Sequence, residues 1–125
     1  MHRVIVSGIS GLVILMMTGV HSALAGYGAL AFDNSTRKYG LSSNEETQAK
    51  ADDVALKVCG NDKCKIVFRT VARECGAVAI AEGEGSTAWG GGKRSNRAAA
   101  ELNAMQNCQK RTKSQCKVRS VECNR

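Results

Sequence analysis

An internal duplication that carries the cysteines constrains this chain more than any other feature. Gly28-Ala29-Leu30-Ala31-Phe32 is matched by Gly76-Ala77-Val78-Ala79-Ile80, and Tyr39-Gly40 by Trp89-Gly90. Ala49-x-Ala51-Asp52 followed by Ala55-Leu56-x-x-Cys59 is matched by Ala98-x-Ala100-Glu101 followed by Ala104-Met105-x-x-Cys108. Cys64-Lys65-Ile66 returns as Cys116-Lys117-Val118, and Cys75 returns as Cys123. A period of 48 to 52 residues is that of a supersecondary unit occurring twice. The chain therefore reads as one small domain made of two units, about 27–75 and 76–123, which excludes multidomain enzymes and solenoids.

Each unit reads β-β-α-β. A hairpin is expected from the GALAF or GAVAI run and the segment ending in Tyr39 or Trp89. Ser43-x-x-Glu46 has the form of a capping box opening the first helix, whose last turn reaches Cys59 and which Gly60 stops. The second helix is expected from about Ser95 to Cys108, with Ala100, Ala104 and Cys108 on one face. Residues 64–72 and 116–122 are the closing strands. The expected fold is α+β: one antiparallel sheet with two helices packed on it.

Residues 1–25 stand outside that repeat. Met1-His2-Arg3 is a short positive start, Val4–Val20 is largely apolar, and Ala23-Leu24-Ala25 has the small-residue pattern of a cleavage site. This reads as a secretory signal peptide, so the protein is expected to be exported, periplasmic or secreted, with no stable membrane insertion after cleavage. Removal at Ala25 leaves 100 residues, Gly26–Arg125, and takes both histidines, His2 and His21. Without histidine there is no Ser-His-Asp or Cys-His arrangement and no His-bearing zinc site.

All six cysteines remain, at 59, 64, 75, 108, 116 and 123. Even cysteine counts in short exported chains read as disulfides, and no C-x2-C pair suggests a metal. Spacing alone leaves about fifteen connectivities. The repeat narrows them: Cys59–Cys64 and Cys108–Cys116 each tie a helix end to the next strand, and Cys75 is left to pair with Cys123 across the pseudo-twofold. No cofactor is expected.

Together these residues resemble the family known as domain of unknown function 4189, over Tyr27 to Cys123. The resemblance implies small exported bacterial proteins, a disulfide-bonded α+β domain and no established catalytic motif. It also implies that some members act as secreted virulence-associated proteins.

Three patterns bear on function. Trp89-Gly90-Gly91-Gly92-Lys93-Arg94-Ser95 reads as a Gly-rich turn entering a helix, a form that can hold a phosphate or carboxylate. It lacks the Walker A spacing. Gly91, Gly92, Lys93, Arg94, Ser95 and Arg97 are thus candidate anion-binding residues, with Lys93, Arg94 and Arg97 placed where the first unit has Asn44, Glu45 and Gln48. Second, residues 93–125 hold nine Lys/Arg and two Asp/Glu, whereas 26–92 hold eight against nine. That asymmetry points to an acidic protein or an anionic envelope component as partner. Nucleic acid is not expected, since Trp89 is the one aromatic in unit two and no stacking platform is apparent. Third, Glu82 and Glu84 on a Gly-rich turn are the carboxylates that a histidine-free hydrolase would draw on. The reading is a non-enzymatic exported binding module, of inhibitor, immunity or virulence type, with an envelope hydrolase as the alternative.

Overall fold

The computed structural model describes residues 26–125. The expected signal peptide and its cleavage site lie outside the described residues. The elements run β1 (Tyr27–Phe32), β2 (Tyr39–Glu45), α1 (Gln48–Cys59), β3 (Lys65–Thr70), β4 (Cys75–Ala81), β5 (Trp89–Arg94), α2 (Arg97–Gln109) and β6 (Cys116–Cys123). The duplicated β-β-α-β order and α+β class are those the repeat predicts.

The single sheet is corrected to two. One is antiparallel in the order β2-β1-β3, the other in the order β5-β4-β6. The central strands β1 and β4 explain the division, because they alternate large and small side chains. Leu30 and Phe32 pack against Val78 and Ile80, with Tyr39, Leu41, Phe68 and Trp89 around them. Ala29 and Ala31 turn the other way, onto Ala51, Ala55 and Cys59 of α1. Ala77, Ala79 and Ala81 likewise meet Ala100, Ala104 and Cys108 of α2. The sheets thus face each other across a layer of large apolar side chains, and each carries a helix on its outer face. Both faces of β1 and β4 are covered, which is why all seven residues of β4 are buried.

Alanine lets each helix sit close to its sheet, and glycine lets it sit closer. A Cβ on Gly90 would run into the Cys108 nitrogen and the Ala104 carbonyl, and one on Gly92 into the Ala100 carbonyl. On the opposite face, a Cβ on Gly91 would press on the Phe68 ring at 2.9 Å. The run at 90–92 is therefore β-strand, not turn. The hairpins are corrected accordingly: their second strands begin at Tyr39 and Trp89 instead of ending there.

The first helix also starts later than expected. Ser43 is in β2, and the N-cap is Thr47, whose side chain accepts from the Lys50 N–H at 3.0 Å. In the second unit Asn96 does the same for Ala99 at 2.8 Å. Each satisfies one of the free first-turn donors. Gly60 closes α1 as expected, at φ 95° with its N–H on the Leu56 carbonyl.

The disulfides are Cys59–Cys64, Cys75–Cys123 and Cys108–Cys116. The connectivity matches the repeat, but the position of one bridge is corrected. Cys75 and Cys123 lie opposite each other on the neighbouring strands β4 and β6, so this bridge stays within one sheet. The two sheets are joined by packing and by side-chain clasps at both ends.

Candidate functional site

At one end, the β1–β2 turn (33–38) meets the β4–β5 turn (82–88). Asp33 organises the first turn. Its buried carboxylate accepts from the Ser35 N–H and hydroxyl, the Thr36 hydroxyl and the Asn61 amide, at 2.7 to 2.9 Å. The Thr36 hydroxyl, followed by that of Ser35, holds the Asp33 carboxyl well below the usual carboxylate range. Arg37, at a left-handed φ of 61°, donates to the Ala81 and Ser86 carbonyls at 3.2 and 2.8 Å. The Trp89 indole N–H donates to Asn34 at 2.7 Å, and its ring stacks on Phe32 with centroids 4.0 Å apart. Trp89 and Tyr39 are half-buried and pack on the layer between the sheets.

Three open clefts ring this end. The largest, about 610 Å³, is lined by Glu84, Ser86, Trp89, Arg111, Thr112 and Ser114 among others. A second of about 510 Å³ includes Arg37, Tyr39, Glu82 and Arg119. A third of about 470 Å³ includes Phe32, Asp33, Asp62, Lys65 and Trp89. Arg111 lies over Trp89, 5.4 Å from the ring centroid, and donates to the Trp89 carbonyl at 3.2 Å. That contact fixes a guanidinium on an aromatic face at the cleft wall.

At the other end, Asn124 is buried and clasps the first unit. Its amide donates to Thr70 Oγ1 at 2.8 Å and the Val71 carbonyl at 2.9 Å, and its oxygen accepts from the Asn44 N–H at 2.8 Å. Asn44 Oδ1 accepts from the Arg125 N–H at 2.8 Å in return.

The expected anion cradle has a different construction. Gly91 and Gly92 lie in β5, opposite Val78 and Ala77 of β4. Gly92 is buried under α2, and the Gly91 carbonyl accepts from Asn107 at 2.7 Å. The Lys93 N–H is donated to Asn103 at 3.2 Å, and its ammonium to the Arg69 carbonyl at 3.2 Å. Arg94 folds back onto the Lys93 carbonyl at 2.6 Å, and Arg97 stands 4.0 Å from Glu101. Lys93, Arg94, Ser95 and Arg97 are exposed at the helix start, beside glycines that belong to the sheet.

Two acids are occupied internally. Asp52 pairs with Arg69 at 2.8 Å, and that hydrogen bond lowers its carboxyl and raises the guanidinium. Asp33 is saturated as described. Glu82 and Glu84 are exposed on their turn and line different clefts. Among the described residues, no three His, Cys, Asp or Glu side chains gather as metal ligands.

Unit two is rich in cations without acidic partners. Of its nine Lys/Arg after residue 92, one, Arg97, has a carboxylate within ion-pair distance among the described residues. Lys110, Arg111, Lys113, Lys117 and Arg119 run from the end of α2 into β6, all exposed. Sequence reasoning missed Asn34, Arg37, Asn103, Asn107 and Arg111 as structural contacts. The signal for two of them was present, since Asn103 and Asn107 replace Val54 and Val58 of the first unit.

The comparisons agree with this architecture. The solution structure of Rv1813c from Mycobacterium tuberculosis superposes with a TM-score of 0.61 at 31% identity, covering 99% of this chain and 90% of that one. The uncharacterised proteins Rv1813c of Mycobacterium tuberculosis and Mb1843c of Mycobacterium bovis are each 40% identical over 75 residues, 60% of this chain. The chain spans 48% of the length of those relatives. Residues 27–123 match the family described as domain of unknown function 4189. With its duplicated unit and three disulfides, the chain belongs to that family.

Proposed function

We propose that this protein is an exported, disulfide-stapled binding module that engages an acidic protein or an anionic envelope component through unit two. One observation carries the reading: eight of the nine cations after residue 92 have no carboxylate within ion-pair distance among the described residues. A positive surface left uncompensated inside its own fold is free to attract negative charge. Arg111, held against Trp89, adds a fixed donor at the edge of the cleft lined by Glu84, Ser86 and Thr112. Binding is favoured over catalysis because Asp33 and Asp52 are occupied and Glu82 and Glu84 line separate clefts.

Exported protein with its disulfides intact, immobilised as bait for envelope and secreted fractions, tests the proposal. A specific acidic partner is expected, retained at low salt and released as salt rises, because exposed charges are screened beyond roughly 8 Å at physiological ionic strength. Lys113→Glu with Lys117→Glu should abolish capture. Capture unaffected by salt and by both reversals would overturn the proposal. The partner's identity then decides between an inhibitor and an effector role.

A further inference from the structure

The two sheets have four edge strands, and three of them are protected. On β5, residues 89, 91 and 93 point their backbone groups away from β4. α2 and the turn that follows it meet them: Arg111, in the turn, donates to the Trp89 carbonyl, Asn107 to the Gly91 carbonyl, and Asn103 accepts from the Lys93 N–H. Asn103 and Asn107 are four residues apart on one face of the helix, and Arg111 continues their row just past its end. Strand β3 is broken by a register shift opposite Leu30/Ala31 and bears Lys65 and Arg69. Strand β6 is broken opposite Val78/Ala79 and bears Lys117 and Arg119. Bulges and edge lysines are standard defences against pairing with another chain.

The fourth edge, β2, has a register shift and side-chain cover only at its far end, where the Asn44 N–H donates to Asn124, and Tyr39–Ser43 has neither cover nor charge. Its register shift falls near its end, opposite Tyr27/Ala29, and leaves Tyr39–Ser42 in regular pairing with β1. Tyr39-Gly40-Leu41-Ser42-Ser43 contains no charge. Gly40 and Ser42 pair inward with Ala31 and Ala29, so Tyr39 and Leu41 direct their N–H and C=O groups outward. Among the described residues, no side chain bonds those outward groups. Where α2 has Asn103 and Asn107, α1 has Val54 and Val58. Val58 is 61% exposed, a large apolar side chain beside an open edge.

We infer that β2 is the interface through which two copies of this chain associate, pairing antiparallel about Leu41 to continue the first sheet across a twofold axis. The distribution of charge selects that occupant and orientation. The strand is entered from Lys38, which is exposed, and leaves through Glu45 and exposed Glu46. Antiparallel pairing of two copies puts the lysine of each beside the glutamates of the other at both ends. Parallel pairing would stack like charges. About the axis, Leu41 exchanges N–H and C=O bonds with Leu41 of the second copy, and Tyr39 does so with Ser43 of the second copy. The same operation carries half-buried Val54 and exposed Val58 of each α1 towards their counterparts, covering the Val58 side chain.

Sedimentation of the exported, disulfide-intact protein over a concentration series tests this. Amide exchange is followed in parallel. The expected result is a twofold rise in weight-average mass, with the Tyr39 and Leu41 amides becoming protected as the dimer forms. Val54→Asn with Val58→Asn transplants the α2 arrangement onto α1 and should hold the protein at monomer mass with its three disulfides unchanged. A wild type that stays monomeric at the highest concentration, or a dimer in which the Tyr39 and Leu41 amides exchange freely, would overturn the inference. Should the double variant fail to fold, the wild-type exchange pattern decides alone.

Discussion

The two halves of this molecule trace the same path with different materials. Both use alanine between helix and sheet, an Asx or Thr cap at the helix start, and a disulfide from helix end to closing strand. At Ser42, opposite Ala29, the first unit keeps a hydroxyl that donates to the Ala51 carbonyl at 2.7 Å. At Gly92, opposite Ala77, the second unit has nothing between strand and the Ala100 carbonyl. The first unit folds its hairpin turn around a carboxylate, Asp33; the second uses Gly83 and Gly85 at positive φ. Shared positions build the scaffold, and divergent ones tune edges, turns and charge. That division of labour can be broken in several ways.

The largest effect should come from the bridges. In the chain-entropy account, the 48-residue loop closed by Cys75–Cys123 contributes about 4 kcal/mol and the five-residue loop of Cys59–Cys64 about 2 kcal/mol. Denaturant melts of Cys75→Ala/Cys123→Ala and Cys59→Ala/Cys64→Ala should therefore differ, with the long-loop variant the weaker. Equal losses would show that the bridges act through native packing and not through the unfolded chain.

Gly92→Ala comes next, at about 1–3 kcal/mol, because the new Cβ forces α2 off its strand. Ser42→Ala, at the matching place in unit one, adds no bulk but removes the hydroxyl that donates to the Ala51 carbonyl and accepts from the buried Ala29 N–H, and should cost about 1–2 kcal/mol. Thermal melts of the pair, run together, check whether the second helix is the more closely seated of the two.

Acid should separate the two turns. The folded Asp33 carboxyl titrates below its unfolded value, so its contribution is fully present above the ordinary aspartate range and is lost progressively as pH falls from there towards the lowered folded value. Below about pH 4, amide exchange at Ser35 and Arg37 should accelerate before exchange at Ala88 in the glycine-built turn. Asp33→Asn should remove that pH dependence while leaving the second turn unchanged.

The repeat and its cysteines made the element order and all three bridges readable from the residues, because covalent staples and duplicated spacing survive without knowledge of packing. The alternation Leu30/Ala31/Phe32 and Val78/Ala79/Ile80 also carried information on the two layers, since a strand with large residues on one face and alanines on the other needs two unlike neighbours. What was not readable depended on approach distance. Glycine reads locally as turn, and only the seating of α2 makes Gly90 and Gly92 strand residues. Ser43-x-x-Glu46 has the form of a cap, yet β2 pairing with β1 runs through it, and Thr47 takes the role. The basic helix start was readable as charge, but its cradle was not, because the flanking backbone is committed to β4, Asn103 and Asn107.

The smallest effect probes that helix start directly. Unit one places Glu45 and Gln48 where unit two places Arg94 and Arg97, and neither helix has an acid in its first turn. Cations near a helix N-terminus oppose the dipole by about 0.3–1 kcal/mol when exposed. Arg94→Glu with Arg97→Gln copies the first unit while leaving Lys93 on the Arg69 carbonyl. The double variant should be more stable by about that amount, read in a denaturant melt at low salt, and the gain should shrink as salt is added. If these cations serve an acidic partner, the same variant should bind it more weakly and with a shallower salt dependence. Stabilisation with binding unchanged would assign the partner surface to Lys110–Arg119 alone; stabilisation with binding lost would extend it along the whole of α2.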